Sequence, residues 1–329
     1  MSNSFFIKLI LGGVFMSKKK IMIIFIGIVC VSFLALIFIS TQKKSTQNNF
    51  SSADKIAVIH VDGVITSSHT TSSILSEGNG GTDQLIKDLH AAADDTSVKA
   101  IVMRINSPGG AVTATEEVGE EMNKIRDNGK PIVVSMGDTA ASGAYWLSAC
   151  ADKVYANPTT VTGSIGVYMP YSNWEELYQK IGIRQDKIKS GIHKDILSSD
   201  RPMTPEEHQM LQAIVDELYN GFVDVVAKGR HMDRDRVKQL ADGRIYTGKQ
   251  AKELGLVDEL GNYYDALDGT AAMVGISGKP QIKEFGKENP LSLLFSANNK
   301  ESLLKELFSG LTADTALKSI APQAMPEKW

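Results

Sequence analysis

The chain has 329 residues, 43% of them hydrophobic and 22% charged, with a formal net charge of −3. That length suits one or two ordinary domains, and the mixed charge, with no basic block beyond Lys18–Lys20, argues against a nucleic-acid partner. Two cysteines, Cys30 and Cys150, give no disulfide framework and no thiolate metal site, and six scattered histidines offer no ligand pair, so no metal is expected.

Ile21–Ile39 carries no charge, and only Gly27 and Ser32 interrupt its apolar composition. At about 1.5 Å per residue it extends about 28 Å, close to the hydrocarbon thickness of a bilayer. Lys18, Lys19 and Lys20 precede it, so residues 1–20 are expected in the cytoplasm and everything after Ser40 outside. A cleaved signal peptide is disfavoured, because the run is long and no small-x-small site closes it. Cys30 reads as membrane filler. Phe5–Phe15, broken by Lys8, is too short to span, and Met16-Ser17-Lys18 looks a more natural start than Met1. Residues 40–53, rich in Ser, Gln and Asn, read as a flexible stalk.

Ile56–Ile65 is β-rich and meets a turn at Asp62-Gly63; Thr66–Gly81, crowded with Ser, Thr and Gly, reads as a loop. Asp83–Ala93 carries Leu85, Ile86 and Leu89 at helical spacing. Then follow a strand at Val98–Ile105, a helix at Ala111–Asn128, a strand at Pro131–Ser135, a helix from Ser142 to Ala149 and a strand at Lys153–Ala156. This alternation calls for a parallel sheet with helical crossovers, an α/β fold whose ligands bind at the carboxyl ends of the strands. Thr204–His231 reads as a long helix with Thr204 as N-cap, Pro205 at the first helical position and Glu207 completing a capping box. Its apolar stripe is Leu211, Ile214, Val215, Leu218, Phe222, Val225 and Val226. Shorter helices at Asp233–Leu240 and Gly248–Leu254 flank a strand at Arg244–Tyr246, and Asp265–Val274 is a further helix. After Gly278 the chain is expected to lose order, apart from an amphipathic Glu301–Phe308, and Ala321–Trp329 reads as a loose tail. Residues 54–278 thus form one domain with a helical elaboration, and 279–329 a C-terminal extension.

Two strand ends carry the chemistry. Asn106-Ser107-Pro108-Gly109-Gly110 ends one strand, and Ala140-Ala141-Ser142-Gly143-Ala144-Tyr145-Trp146 follows the next. Each alone has a bland reading: a Gly-Gly after Ser-Pro is commonly a turn, and a serine at a helix start is commonly an N-cap. Paired at adjacent strand ends they point to acyl transfer, with a nucleophilic serine and two glycine turns offering N–H groups to an oxyanion. Such a serine needs a base. His193 has no apolar strand pattern to fix it and reads as a surface histidine. A lysine serves if its surroundings leave the amine neutral, and Lys187, Lys189 and Lys194 cluster nearby; composition does not choose among them.

These motifs resemble those of the signal peptide peptidase A family, membrane-anchored Ser/Lys peptidases of bacteria, in its short single-domain form. The resemblance covers roughly Lys55–Val274 and rests on Arg104–Gly110, Ala140–Tyr145, Thr162-Gly163-Ser164-Ile165-Gly166-Val167 and Lys189–Asp195, all in the family's order. It implies Ser142 as nucleophile, Lys194 as general base, Ser164 as the hydroxyl orienting the lysine, and Gly110 and Gly143 as oxyanion donors. Ala144 departs from the glycine of many relatives, without touching the donor. The fold implied is a ClpP/crotonase-like β-superhelix with outer helices, behind one transmembrane helix.

The resemblance further implies an endopeptidase that needs no cofactor and degrades remnant signal peptides. It also implies a homo-oligomeric ring with Lys194 of one subunit meeting Ser142 of the next. A histidine-based ClpP-type protease is weakened because Val161–Met169, expected as an apolar strand region, holds no histidine, and a crotonase because coenzyme A is cytosolic. The alternatives kept are a related Ser/Lys protease cutting a specific membrane protein in stress signalling, and a non-catalytic membrane scaffold.

Overall fold

The computed structural model describes residues 54–67 and 81–286. The expected anchor Ile21–Ile39, the stalk, most of the Thr66–Gly81 loop, Glu301–Phe308 and the tail lie outside the described residues. Among those described, no helix is long and apolar enough to cross a membrane.

Strand β1 (Lys55–Asp62) leads through helix α1 (Thr82–Asp94) to β2 (Val98–Ser107), and α2 (Val112–Asp127) leads on to β3 (Ile132–Ala141). Next come α3 (Gly143–Ala149), β4 (Lys153–Ala156), β5 (Val161–Gly163) and α4 (Glu175–Lys180). The long α5 (Pro205–Gly229) is followed by α6 (Arg234–Leu240), β6 (Ile245–Thr247) and α7 (Gly248–Glu253). Strand β7 (Glu259–Leu260), α8 (Tyr263–Met273) and β8 (Gln281–Phe285) complete the described chain. The sheet runs β6-β5-β3-β2-β1-β8, with β4 pairing β3 and β7. Every pair is parallel except β5 with β6, as the alternation of strands and helices requires.

Parallel strands covered on both faces read as continuous apolar runs, and side-chain alternation then sorts them between two cores. Ala57, Ile59 and Val61 of β1 share a core with Leu89 of α1 and with Val118 and Met122 of α2. Ile56 and Val58 join Ala266, Leu267 and Ala271 of α8 on the opposite face.

Strand β3 changes partner along its length. Val133–Ser135 pair with β4, whereas Thr139–Ala141 pair with β5. Its register against β2 also shifts between Ile105 and Ser107. The end of β3 therefore emerges between the ends of β2 and β5.

Three expectations need correction. The chain does not lose order at Gly278: Gln281–Phe285 forms edge strand β8, parallel to β1 from Lys55↔Gln281 to Ile59↔Phe285. Its side chains are largely exposed, so hydrophobic patterning did not mark it. Of the α5 stripe only Phe222 and Val226 are buried, together with Val223 beside them, while Ile214 is exposed. Finally, the apolar stretch Val161–Met169 is strand only at Val161–Gly163. The α5 capping box forms as expected, with Glu207 N–H donating to Thr204 Oγ1 at 3.1 Å and Thr204 N–H to Glu207 Oε2 at 3.0 Å.

Candidate active site

Ser142 stands between β3 and α3 with φ 54° and ψ −124°, left-handed backbone that a side chain rarely adopts. A strained residue at a strand-to-helix turn is how an α/β sheet lifts a serine hydroxyl clear of its own backbone. Three backbone bonds hold it there: Ser142 N–H donates to Gly163 O at 2.8 Å, and Ser142 O accepts from Tyr145 and Trp146 N–H at 2.8 and 3.0 Å. Behind it α3 is anchored by Tyr145, whose fully buried hydroxyl donates to Leu256 O at 2.9 Å. That burial pushes the phenol pKa well above its usual range.

The glycine turn after β2 lies directly against this serine. A methyl group on Gly109 (φ +101°) would fall 2.7 Å from Gly143 N and 2.8 Å from Ser142 Cβ, so only glycine fits. One on Gly110 would fall 1.9 Å from Ile65 O, and one on Gly143 would fall 3.2 Å from Gly110 N. The turn is stitched to the segment after β1 by Ile65 N–H to Gly109 O and Ala111 N–H to Ile65 O, both 2.9 Å. Among the described residues, neither the Gly110 nor the Gly143 amide donates a hydrogen bond, so two neighbouring N–H groups beside Ser142 are free to bind an anion.

Ser164 follows β5 with φ 50°, its N–H donating to Arg244 O at 2.8 Å. Ser142 and Ser164 open on one cleft of about 550 Å³, shared with Pro108, Val167, Tyr168, Asp216, Tyr219 and Asp242. Asp242 is neutralised by Arg244, which holds its carboxyl down at about 2. Asp216 accepts from Gln212 Nε2 at 2.7 Å.

The three candidate lysines separate clearly. Lys187 pairs with Asp200 and Ser198, and Lys189 donates to Asp195 at 2.8 Å, so both amines are committed to acceptors. Lys194 is exposed and, among the described residues, its amine has no hydrogen-bond or ion-pair partner. It does not line the cleft that holds Ser142 and Ser164. Ser142, Gly110 and Gly143 thus meet at their backbones, Ser142 and Ser164 share a cleft, and Lys194 is not among the residues lining it. His193 lies 3.6 Å from Glu207 and 3.8 Å from Glu206, outside the cleft. Sequence reasoning gave no role to Gly109, or to buried Thr115, whose Oγ1 would lie 2.6 Å from a methyl on Gly143. The Ser-Pro-Gly-Gly motif contained the first signal, while nothing local marked the second. No cluster of metal-ligating side chains occurs among the described residues.

The model of peptidase family S49 matches residues 124–277, a span that includes Ser142, Ser164 and Lys194. A candidate signal peptide peptidase SppA of Enterococcus faecium is 40% identical over 225 residues, covering 68% of this chain and 65% of that protein. Protease 4 of Haemophilus influenzae is 34% identical over 248 residues, 75% of this chain and 39% of its own length. A candidate protease of Synechocystis sp. is 37% identical over 269 residues, 82% of this chain and 91% of that one. A solved membrane-bound stomatin-specific protease shows a more distant likeness, with 13% identity and a TM-score of 0.48 over 72% of this chain and 99% of that one. The chain belongs to peptidase family S49, the family of signal peptide peptidase A. It spans under two thirds of the length of the Enterococcus faecium and Haemophilus influenzae relatives.

Proposed function

We propose that this chain is a serine endopeptidase that works through a Ser142/Lys194 dyad and degrades remnant signal peptides at the outer face of a bacterial membrane. The observation that carries the reading is the closeness of a strained Ser142 to the unengaged Gly110 and Gly143 amides. The neutral Lys194 amine takes the Ser142 Oγ proton as Oγ attacks the peptide carbonyl, and the oxyanion is held by the Gly110 and Gly143 N–H groups. The resulting ammonium gives its proton to the leaving amine, and water, deprotonated by the same lysine, hydrolyses the acyl-enzyme. Ser164 orients the lysine as it enters the cleft.

The partner change of β3 supports the finer reading of the fold as a ClpP/crotonase-like β-superhelix. Lys194 stands on an arm whose apolar side chains Ile188, Ile192, Ile181 and Trp174 are exposed, which favours a homo-oligomeric ring in which a neighbour's Lys194 completes each site. The anchor Ile21–Ile39 would place these rings on the membrane.

A serine-directed fluorophosphonate probe tests the chemistry: the wild-type chain labels and Ser142→Ala does not, whereas a scaffold labels in neither form. Digestion of signal-peptide sequences against folded-protein controls then tests the substrate class. Complementation tests the ring. Ser142→Ala and Lys194→Ala are each inactive alone, and co-assembled they recover part of the activity. Mixed assemblies with no recovery would place the dyad within one subunit.

A further inference from the structure

The segment bearing Lys194 contains no helix or strand between Ile181 and Thr204, yet its charges hold it in one shape. Arg201 is the centre. Its Nε and Nη2 donate to the two carboxylate oxygens of Asp195 at 3.0 and 2.8 Å. Its Nη1 and Nη2 donate to the two oxygens of Glu207 at 2.8 and 2.7 Å. Glu207 is 2% exposed, belongs to the first turn of α5 and is fixed by its capping bond to Thr204. Lys189 also donates to Asp195 Oδ1, and Leu197 within the segment carries a φ of 68°.

We propose that Arg201 is a positioning residue for the general base: by bridging Asp195, the residue after Lys194, to Glu207 on α5, it fixes where the arm presents the Lys194 amine. The inference rests on the Ser142/Lys194 reading. A lysine without a partner has four freely rotating carbons, so its reach is set by the backbone beneath it. A guanidinium bound in two planar forks fixes orientation as well as distance, which a lysine at the same place would not do. On an otherwise exposed arm these forks tie Asp195 to a buried carboxylate of α5, so they set the geometry of the arm as well as its stability. The carboxylates show how tightly it closes. Arg201 and then Lys189 hold Asp195 well below the usual carboxylate range, and Arg201 with the Thr204 amide brings Glu207 down to about 2.

The test uses the full-length protein and a fluorogenic peptide. Arg201→Lys keeps the charge and loses the forks; Glu207→Gln keeps the capping bond to Thr204 and loses the charge. Each is expected to lower kcat about 10- to 100-fold with KM within about twofold, and to slow fluorophosphonate labelling of Ser142 by the same factor. Neither should slow labelling further in a Lys194→Ala background, because the clamp acts only through that lysine. If both variants keep wild-type kcat, or still slow labelling once Lys194 is gone, while Lys194→Ala alone is inactive, the clamp is refuted and the dyad stands. If Lys194→Ala retains wild-type kcat, the dyad fails and the clamp with it.

Discussion

Gly110→Ala is the substitution whose effect follows most directly from the geometry. A methyl there would sit 1.9 Å from Ile65 O, 2.6 Å from Ile65 C and 2.7 Å from Ile65 N, all rigid backbone atoms. Restoring a tolerable contact moves the Gly110 backbone, or that of Ile65, by about 1 Å, a displacement that costs about 100-fold in rate when it falls on a catalytic group. Losing an oxyanion donor outright costs about 10²–10³ in kcat, or about 2.7–4 kcal/mol of transition-state stabilisation. The expected result is a fall in kcat of about 100-fold or more with KM little changed, since the amide binds the oxyanion rather than the ground-state carbonyl. Peptide hydrolysis is measured at equal folded fraction, with the fraction taken from thermal unfolding. Gly129→Ala is the control: it forces a side chain into φ +89° but has nothing within 4 Å, so it should lower stability and leave kcat unchanged. A folded Gly110→Ala protein with kcat within about twofold of wild type would refute the oxyanion assignment.

Lys194→Arg should abolish hydrolysis, because a guanidinium stays protonated, whereas Lys187→Arg and Lys189→Arg keep their pairs with Asp200 and Asp195 and should stay active, as peptide hydrolysis by each variant will show. Tyr145→Phe leaves Leu256 O without its buried donor and should cost about 1–3 kcal/mol in denaturant unfolding, with m unchanged. Glu207 has its carboxyl lowered from 4.5 to about 2, so its contribution to holding the arm is complete above pH 4.5 and is lost as pH falls towards 2. Hydrogen exchange across residues 187–203 should therefore accelerate, relative to the intrinsic rate, over that acid window and show no such change between pH 6 and 8.

What the sequence made legible was whatever had a local cause. The buried strands β1 to β3 appeared as apolar runs, and α5 announced its start through Thr204, Pro205 and Glu207. The two glycine turns fell at strand ends because glycine is required where backbones meet this closely. The rest depends on distant partners. The positive φ of Ser142 and Ser164, at the ends of β3 and β5, is recorded by no local pattern. Strand β8 alternates polar side chains on an exposed edge, and α4 buries none of its residues, so neither carried a hydrophobic signature. Nothing local joins Asp195 and Arg201 to Glu207, which the sequence marked only as a capping residue, and the fold turns the three into one cluster.

The site divides into two parts held by different forces. Ser142, Gly110, Gly143 and Ser164 sit at the ends of sheet strands, and the contacts between their backbones leave no room for a single methyl at Gly110. Such contacts are as rigid as the core beneath them, because shifting any one displaces a strand. The arm that bears Lys194 buries little apolar surface and keeps its shape through the ion pairs that join Asp195 and Arg201 to Glu207 of α5. A nucleophile and an oxyanion site have to be preorganised before substrate arrives, whereas a base can be delivered. If the apolar side chains of the arm are covered by a neighbouring subunit, delivery and assembly become one event. A lone subunit then holds a strained serine with no base beside it, and peptide hydrolysis is confined to the assembled enzyme.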